Sequence, residues 1–203
     1  MSRPRRIALL VLLAALAACG SGTPKLAQVP GDALVLAFGD SLTFGTGADA
    51  QQSYPAQLEK LIGRKVIAAG VPGEVSSAGL ARLPGLLEEL QPKLVILCHG
   101  GNDFLRKLDD AQAANNIRAM VRLAKAQGAQ VMLIGVPKPG LLLSTAGFYE
   151  NIAREFRLPY EDAALKKILS DNELKSDLAH PNARGYARLA EAIAALLKKS
   201  GAV

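Results

Sequence analysis

Short apolar runs alternate with amphipathic stretches along most of the chain. Residues 34–38 (Leu-Val-Leu-Ala-Phe), 65–69 (Lys-Val-Ile-Ala-Ala), 94–98 (Leu-Val-Ile-Leu-Cys) and 130–134 (Gln-Val-Met-Leu-Ile) each have the length of one strand. Continuous apolar runs of this kind suit strands covered on both faces, as in parallel sheets. Helical spacing fills the gaps. Over residues 78–90 leucines recur at 80, 83, 86, 87 and 90, with Pro84 marking a start or a kink. Residues 111–127 place Ile117, Met120, Val121 and Ala124 on one face, and Gly128 is a suitable stop. Residues 144–157 form a third candidate helix. Residues 182–199 form a fourth, with Leu189, Ile193, Leu196 and Leu197 as its stripe and lysines at the end the helix dipole favours. This alternation predicts a single α/β domain, a three-layer α/β/α sandwich around a mostly parallel sheet. A length of 203 residues suits one such core.

The first thirty residues break the pattern. Arg3, Arg5 and Arg6 precede an apolar run from Ile7 to Ala18. That layout is a secretory signal, and the run falls short of the roughly 20 residues a membrane-spanning helix needs. The next residues, Leu16-Ala17-Ala18-Cys19-Gly20, resemble a bacterial lipobox. The resemblance implies cleavage before Cys19 and lipid attachment to it. It also implies a place in the cell envelope, in the outer membrane facing the periplasm. A plain signal peptide with an incidental cysteine, and an uncleaved anchor, are the competing readings. The expected organisation is therefore a signal peptide over 1–18, a lipidated tether over 19–30 and the folded domain over 31–203.

Composition adds exclusions. Half the residues are hydrophobic and 21% charged, which is globular rather than disordered. The formal charge is +6, and three of those charges are the N-terminal arginines. The remaining excess is spread over helix surfaces without interleaved aromatics, so no nucleic-acid partner is expected. With Cys19 lipidated, Cys98 has no disulfide partner and reads as a small buried hydrophobe. Only His99 and His180 are available for histidine chemistry. No metal-ligand spacing occurs, so neither metal nor cofactor is expected.

Ligands of parallel α/β sheets bind beyond the carboxyl ends of the strands, which directs attention to four segments. Gly39-Asp40-Ser41 follows the first strand and by itself suits a helix cap. Val71-Pro72-Gly73-Glu74 follows the second and has ordinary turn chemistry. His99-Gly100-Gly101-Asn102-Asp103 follows the third, where the Asn102 amide could meet an oxyanion. Asp177-Leu178-Ala179-His180 precedes the last helix, and its i, i+3 spacing on one turn puts carboxylate and imidazole on the same side. Singly, each segment has a bland structural reading.

Together and in this order, the four blocks resemble the SGNH (GDSL-type) hydrolase family over residues 34–199. The stretches Gly79-Leu80-Ala81-Arg82-Leu83-Pro84 and His180-Pro181-Asn182-Ala183-Arg184-Gly185 are most similar to the branch of periplasmic thioesterases, lysophospholipases and arylesterases. The resemblance implies a flavodoxin-like sheet and a serine mechanism. Ser41 would be the nucleophile, His180 its base and Asp177 the group that orients His180. The Ser41 and Gly73 N–H groups and the Asn102 side chain would form the oxyanion hole. Three positions depart from the branch. Ala68 stands where asparagine is usual, Val75 where threonine is usual, and His99 where an apolar residue is usual. The first two are expected to weaken hydrogen bonding around Gly73; His99 is either packed structurally or tunes the pocket.

The expected activity is hydrolysis of a small acyl ester or thioester by an enzyme held to a membrane by its lipid. An O-acetyl esterase acting on envelope polysaccharide and a non-catalytic ligand-binding lipoprotein are the alternatives. Residues Leu141-Leu142-Leu143 through Phe148-Tyr149 line an acyl pocket, or belong to the core or a lid.

Overall fold

The computed structural model describes residues 22–140 and 143–203. The expected signal peptide over residues 1–18, the expected lipidation site Cys19 and the acyl-pocket candidates Leu141 and Leu142 lie outside the described residues. The four anticipated strands are present as β1 (Val35–Gly39), β2 (Val66–Gly70), β3 (Leu94–Cys98) and β4 (Gln130–Ile134). They join a fifth, very short strand numbered β7 (Tyr160–Glu161) below. The order is β2-β1-β3-β4-β7, with every pairing parallel. β1 and β3 are buried along their whole length, as their unbroken apolar sequences require. β2, at an edge, is more open. A two-stranded antiparallel pair, β5 (Pro137–Lys138) and β6 (Ser144–Thr145), projects beyond the end of β4.

Helices cover both faces. The short α1 (Ser41–Phe44) leads to α2 (Tyr54–Ile62), and α3 (Ser76–Leu90) joins β2 to β3. After β3 come α4 (Gly101–Leu105) and α5 (Asp110–Ala126); α6 (Gly147–Phe156) joins β6 to β7. The chain ends with α7 (Ala164–Ser170) and α8 (Ala183–Ser200). α2, α7 and α8 pack as one layer, and α3, α5 and α6 as the other, the arrangement right-handed crossovers produce on each side of β1. α3 runs through Pro84 without ending, since Leu83 and Leu87 beside it are buried against the core. α5 stops where expected, with Gly128 in the left-handed region at φ 79°. Residues 144–145, anticipated as the start of a helix, pair with β5 instead, and α6 begins at Gly147.

The N-terminal segment joins the fold before residue 31. The Leu26 and Val29 N–H groups donate to the Ser200 and Ala202 carbonyls at 3.0 and 2.8 Å. The Gln130 amide accepts from the Ala27 N–H at 2.6 Å and donates to the Ala27 carbonyl at 2.8 Å. Val29 is fully buried. Composition made this stretch look like free tether; its backbone groups nevertheless find partners at the end of α8, and Val29 completes the core. Cys98 is fully buried, and burial pushes its thiol well above the ordinary range, which keeps it inert.

Candidate active site

Ser41 sits at the first position of α1, directly beyond β1. Asp40 is the helix cap, its carboxylate accepting from the Leu42 N–H at 3.1 Å. The cap reading of this segment therefore belongs to Asp40, and it presents Ser41. Asp40 is buried, and burial raises its pKa against the lowering influence of His99 and the Leu42 N–H.

His180 reaches Ser41 from the other end of the chain. Its Nε2 lies 2.9 Å from Ser41 Oγ, and its Nδ1 lies 2.8 and 3.0 Å from the two Asp177 oxygens. A carboxylate only accepts, so Nδ1 carries the ring proton and Nε2 offers its lone pair to the Ser41 hydroxyl. The Asp177–His180 pairing is not made on a helical turn, as the spacing suggested. Residues 175–181 form a loop closed by a bridge between Lys175 and Pro181. The loop curls around the carboxylate, whose Oδ1 accepts from the Ala179 and His180 N–H groups at 2.7 and 2.8 Å. Partial burial works to raise the Asp177 pKa; the His180 ring and these two N–H groups outweigh it and hold the carboxyl below its usual range. Asn182 then caps α8 by accepting from the Gly185 N–H at 3.0 Å.

Asn102 lies in the first turn of α4, beyond β3. Its Nδ2 donates to the Glu74 carbonyl at 2.9 Å, which fixes the amide's orientation and leaves its second N–H for a ligand. Gly73 occupies the turn Val71–Glu74, closed by the Glu74 N–H on the Val71 carbonyl at 3.2 Å. With proline second and glycine third at φ 77°, this is a type II turn that a side chain at residue 73 would strain. The Arg106 guanidinium donates to the Gly73 carbonyl at 2.7 Å. Among the described residues neither the Ser41 nor the Gly73 N–H has an acceptor.

Ser41, Asn102 and His180 share the wall of one cavity of about 160 Å³. Gly73 is not in that wall; it is tied to it through the Asn102 bond to its neighbour Glu74. Asp40 also lines the cavity, and the rest of the wall is mainly apolar, from Leu42, Leu105, Val136, Leu143, Leu169 and Leu178. Among the described residues of the acyl-pocket stretch, only Leu143 lines it. Phe148 and Tyr149 pack on each other at 4.3 Å; the buried Tyr149, whose hydroxyl donates to the His99 carbonyl at 2.7 Å, is core, and the half-buried Phe148 packs against it. Sequence reasoning missed Leu105, Val136, Leu169 and Leu178. Leu178 carried a signal, being a leucine inside the His180 block, and Leu105 a weaker one, two residues beyond the Asn102 block; Val136 and Leu169 carried none.

His99 is fully buried and belongs to a polar cluster. Its Nδ1 accepts from the Gly100 N–H at 2.9 Å, so Nε2 carries the proton and donates to Glu74 Oε2 at 3.1 Å. Arg82 grips the same carboxylate, with Nε 2.9 Å from Oε1 and Nη2 2.7 Å from Oε2. Burial raises the Glu74 pKa, and the His99 and Arg82 bonds overcome it to leave the carboxyl at about 2. Sequence reasoning singled out His99 and left Glu74 and Arg82 unassigned.

The family described as GDSL-like Lipase/Acylhydrolase matches this chain over residues 37–188. Esterase TesA of Pseudomonas aeruginosa is 40% identical over 110 residues, 52% of this chain and 55% of that protein, so the match spans about half the relative's length. Thioesterase 1/protease 1/lysophospholipase L1 of Escherichia coli K12 is 33% identical over 156 residues, 73% of this chain and 75% of the relative. A crystal structure of TesA superposes with a TM-score of 0.73 at 31% identity, over 81% of this chain and 98% of that one.

Proposed function

The chain belongs to the GDSL-like lipase/acylhydrolase family, and from that premise we propose that it hydrolyses acyl esters or thioesters through an acyl-enzyme on Ser41. As a carboxylic ester hydrolase of the SGNH type it needs an activated serine, and one observation carries the assignment: the Ser41–His180–Asp177 relay, at 2.9 and 2.8 Å. Ser41 Oγ attacks the substrate carbonyl carbon while His180 Nε2 takes its proton, and the carbonyl π pair moves to oxygen. Asp177 steadies the imidazolium that results. The oxyanion is met by the free N–H of Asn102 and by the unpartnered N–H groups of Ser41 and Gly73. Collapse expels the alcohol or thiol, which takes the proton from His180. Water then repeats the sequence and frees the acid.

The acyl side of the substrate is supported by the wall around Ser41. Leucines, Val136 and prolines suit a hydrocarbon chain better than an acetylated sugar, whose hydroxyls would lose water without gaining partners. Names borne by the relatives, esterase and thioesterase 1/lysophospholipase L1, agree with that chemistry. We propose further that the enzyme is anchored in the bacterial envelope by lipid on Cys19, a reading that rests on the sequence Leu16-Ala17-Ala18-Cys19.

Hydrolysis of p-nitrophenyl esters of short and long acyl chains by wild type and Ser41→Ala tests the mechanism. A loss of several orders of magnitude in the variant is expected. Equal rates in both would sink the serine mechanism. No hydrolysis by either, with acetylated sugars tried as well, would favour a binding protein.

A further inference from the structure

We propose that Glu74 is a positioning residue for the oxyanion hole, held by Arg82 and His99 so that the Gly73 turn and Asn102 keep a single geometry. The inference rests on the serine-hydrolase reading and adds residues that the reaction does not itself require. Three strand ends meet at this carboxylate. Arg82 binds it bidentately, and its Nη2 also reaches the Ala69 carbonyl of β2 at 3.2 Å and the Gly39 carbonyl of β1 at 3.4 Å. The guanidinium also lies over the Phe38 ring, 4.3 Å from its centroid. His99 comes from the end of β3 and accepts from Gly100, which leads directly into Asn102. The backbone carbonyl of the same Glu74 receives the Asn102 amide. Glu74 thus binds the side chain of one oxyanion donor and is the residue next to the other, Gly73.

The cluster is built into the packing. The side chains of Glu74 and His99 are 8% and 0% exposed, so neither is a mobile surface contact. His99 occupies space that only glycine at position 79 leaves open, since a Cβ there would lie 2.3 Å from His99 Nε2. The cluster also meets a deficit. Ala68 and Val75 supply no side-chain hydrogen bond to this turn, and Val75 precedes α3 without capping it. Just beyond, the buried Asp103 carboxylate accepts from the Ser76 N–H and hydroxyl at 2.8 and 2.6 Å, fastening the other end of the turn. With both ends fastened, the Glu74 side chain governs what lies between. Shifting a donor by a fraction of an ångström weakens its bond to the oxyanion more than its bond to the ground-state carbonyl, so the effect falls on kcat.

The test compares wild type with Glu74→Gln and His99→Leu. Three quantities are read: kcat per serine titrated by an acyl-enzyme burst, KM, and the inhibition constant of an alkyl trifluoromethyl ketone. That ketone forms a bond from Ser41 Oγ to its carbonyl carbon, the π pair becomes an oxyanion, and the serine proton passes to His180. The expected result is a fall of about 10- to 100-fold in kcat per titrated serine, with KM within about twofold. Ketone affinity is expected to fall in parallel, and the two substitutions to be less than additive together. Lower thermal stability with unchanged kcat per titrated serine and unchanged ketone affinity would overturn the proposal, since a merely structural role moves only the folded fraction. If Glu74→Gln does not fold, His99→Leu decides, because it keeps the Glu74–Arg82 pair. Failure of the underlying reading is recognised separately, by a wild type that forms no ketone adduct or a Ser41→Ala variant that still hydrolyses.

Discussion

Replacing Asp177 with asparagine isolates the charge behind His180. The shape is kept, and the amide oxygen can still accept from the Ala179 and His180 N–H groups, so the loop over residues 175–181 should hold. What is lost is a negative charge beside the imidazolium that forms as Ser41 attacks. Opposite unit charges about 4 Å apart attract by about 1 kcal/mol in water and about 4 kcal/mol in surroundings of effective dielectric 20. The Asp177 side chain is 53% exposed, so solvent screens it and the lower part of that span applies. A loss of about 1–2 kcal/mol corresponds to about 5- to 30-fold in kcat. That is less than the roughly 10⁴-fold known for the same change in the buried triad of chymotrypsin-type proteases. The assay is steady-state hydrolysis of a short-chain p-nitrophenyl ester at pH 8, with thermal stability followed alongside. A kcat within twofold of wild type, or a loss confined to KM, would refute the role given to this carboxylate.

Asn102→Ala should lower kcat by about 10²- to 10³-fold and change KM much less, since the oxyanion exists mainly in the transition state; an unchanged kcat in the same ester assay removes Asn102 from the hole. Glu74 has a carboxyl pKa of about 2 in the fold against an ordinary 4.5. It therefore stabilises the fold fully above about pH 4.5, and that contribution, at most about 3 kcal/mol, drains away as pH falls toward 2. Urea unfolding should accordingly show the stability gap between wild type and Glu74→Gln narrowing from pH 7 to pH 3, and a constant gap would contradict the ion-pair account. Cys19→Ser should abolish labelling by radioactive palmitate in cells; persistent labelling would place the lipid elsewhere.

Residues with a repeating or block-like signal were legible in the sequence. The strands at 34–38, 65–69, 94–98 and 130–134 could be located because buried parallel strands are continuously apolar. α3, α5 and α8 could be located because their helical period runs over several turns. α2 carried a signal too, with Tyr54, Leu58 and Ile62 at helical spacing and all buried, although it was not anticipated. β7 did not, because two residues cannot show a period. Ser41 and Asn102 stood out as members of blocks after strands, Asp177 and His180 as a block before the last helix, and Gly73 as the glycine of a tight turn.

Chain order alone placed the nucleophile and its base 139 positions apart, and only the packing of α8 against α2 and α7 brought them to 2.9 Å. The cavity wall was undetermined in the same way. Leu143, Leu169 and Leu178 are ordinary leucines until the residue before β6, the helix α7 and the loop before α8 converge. His99 was visible as an oddity, but its partners Glu74 and Arg82 carried no assignment until the fold brought them to His99, for which the missing side chain of Gly79 makes room. Local sequence specified which elements form, because propensity and apolar period act over a few residues. The site was decided by tertiary structure, because hydrogen bonds and packing between distant segments depend on where the sheet brings those segments together.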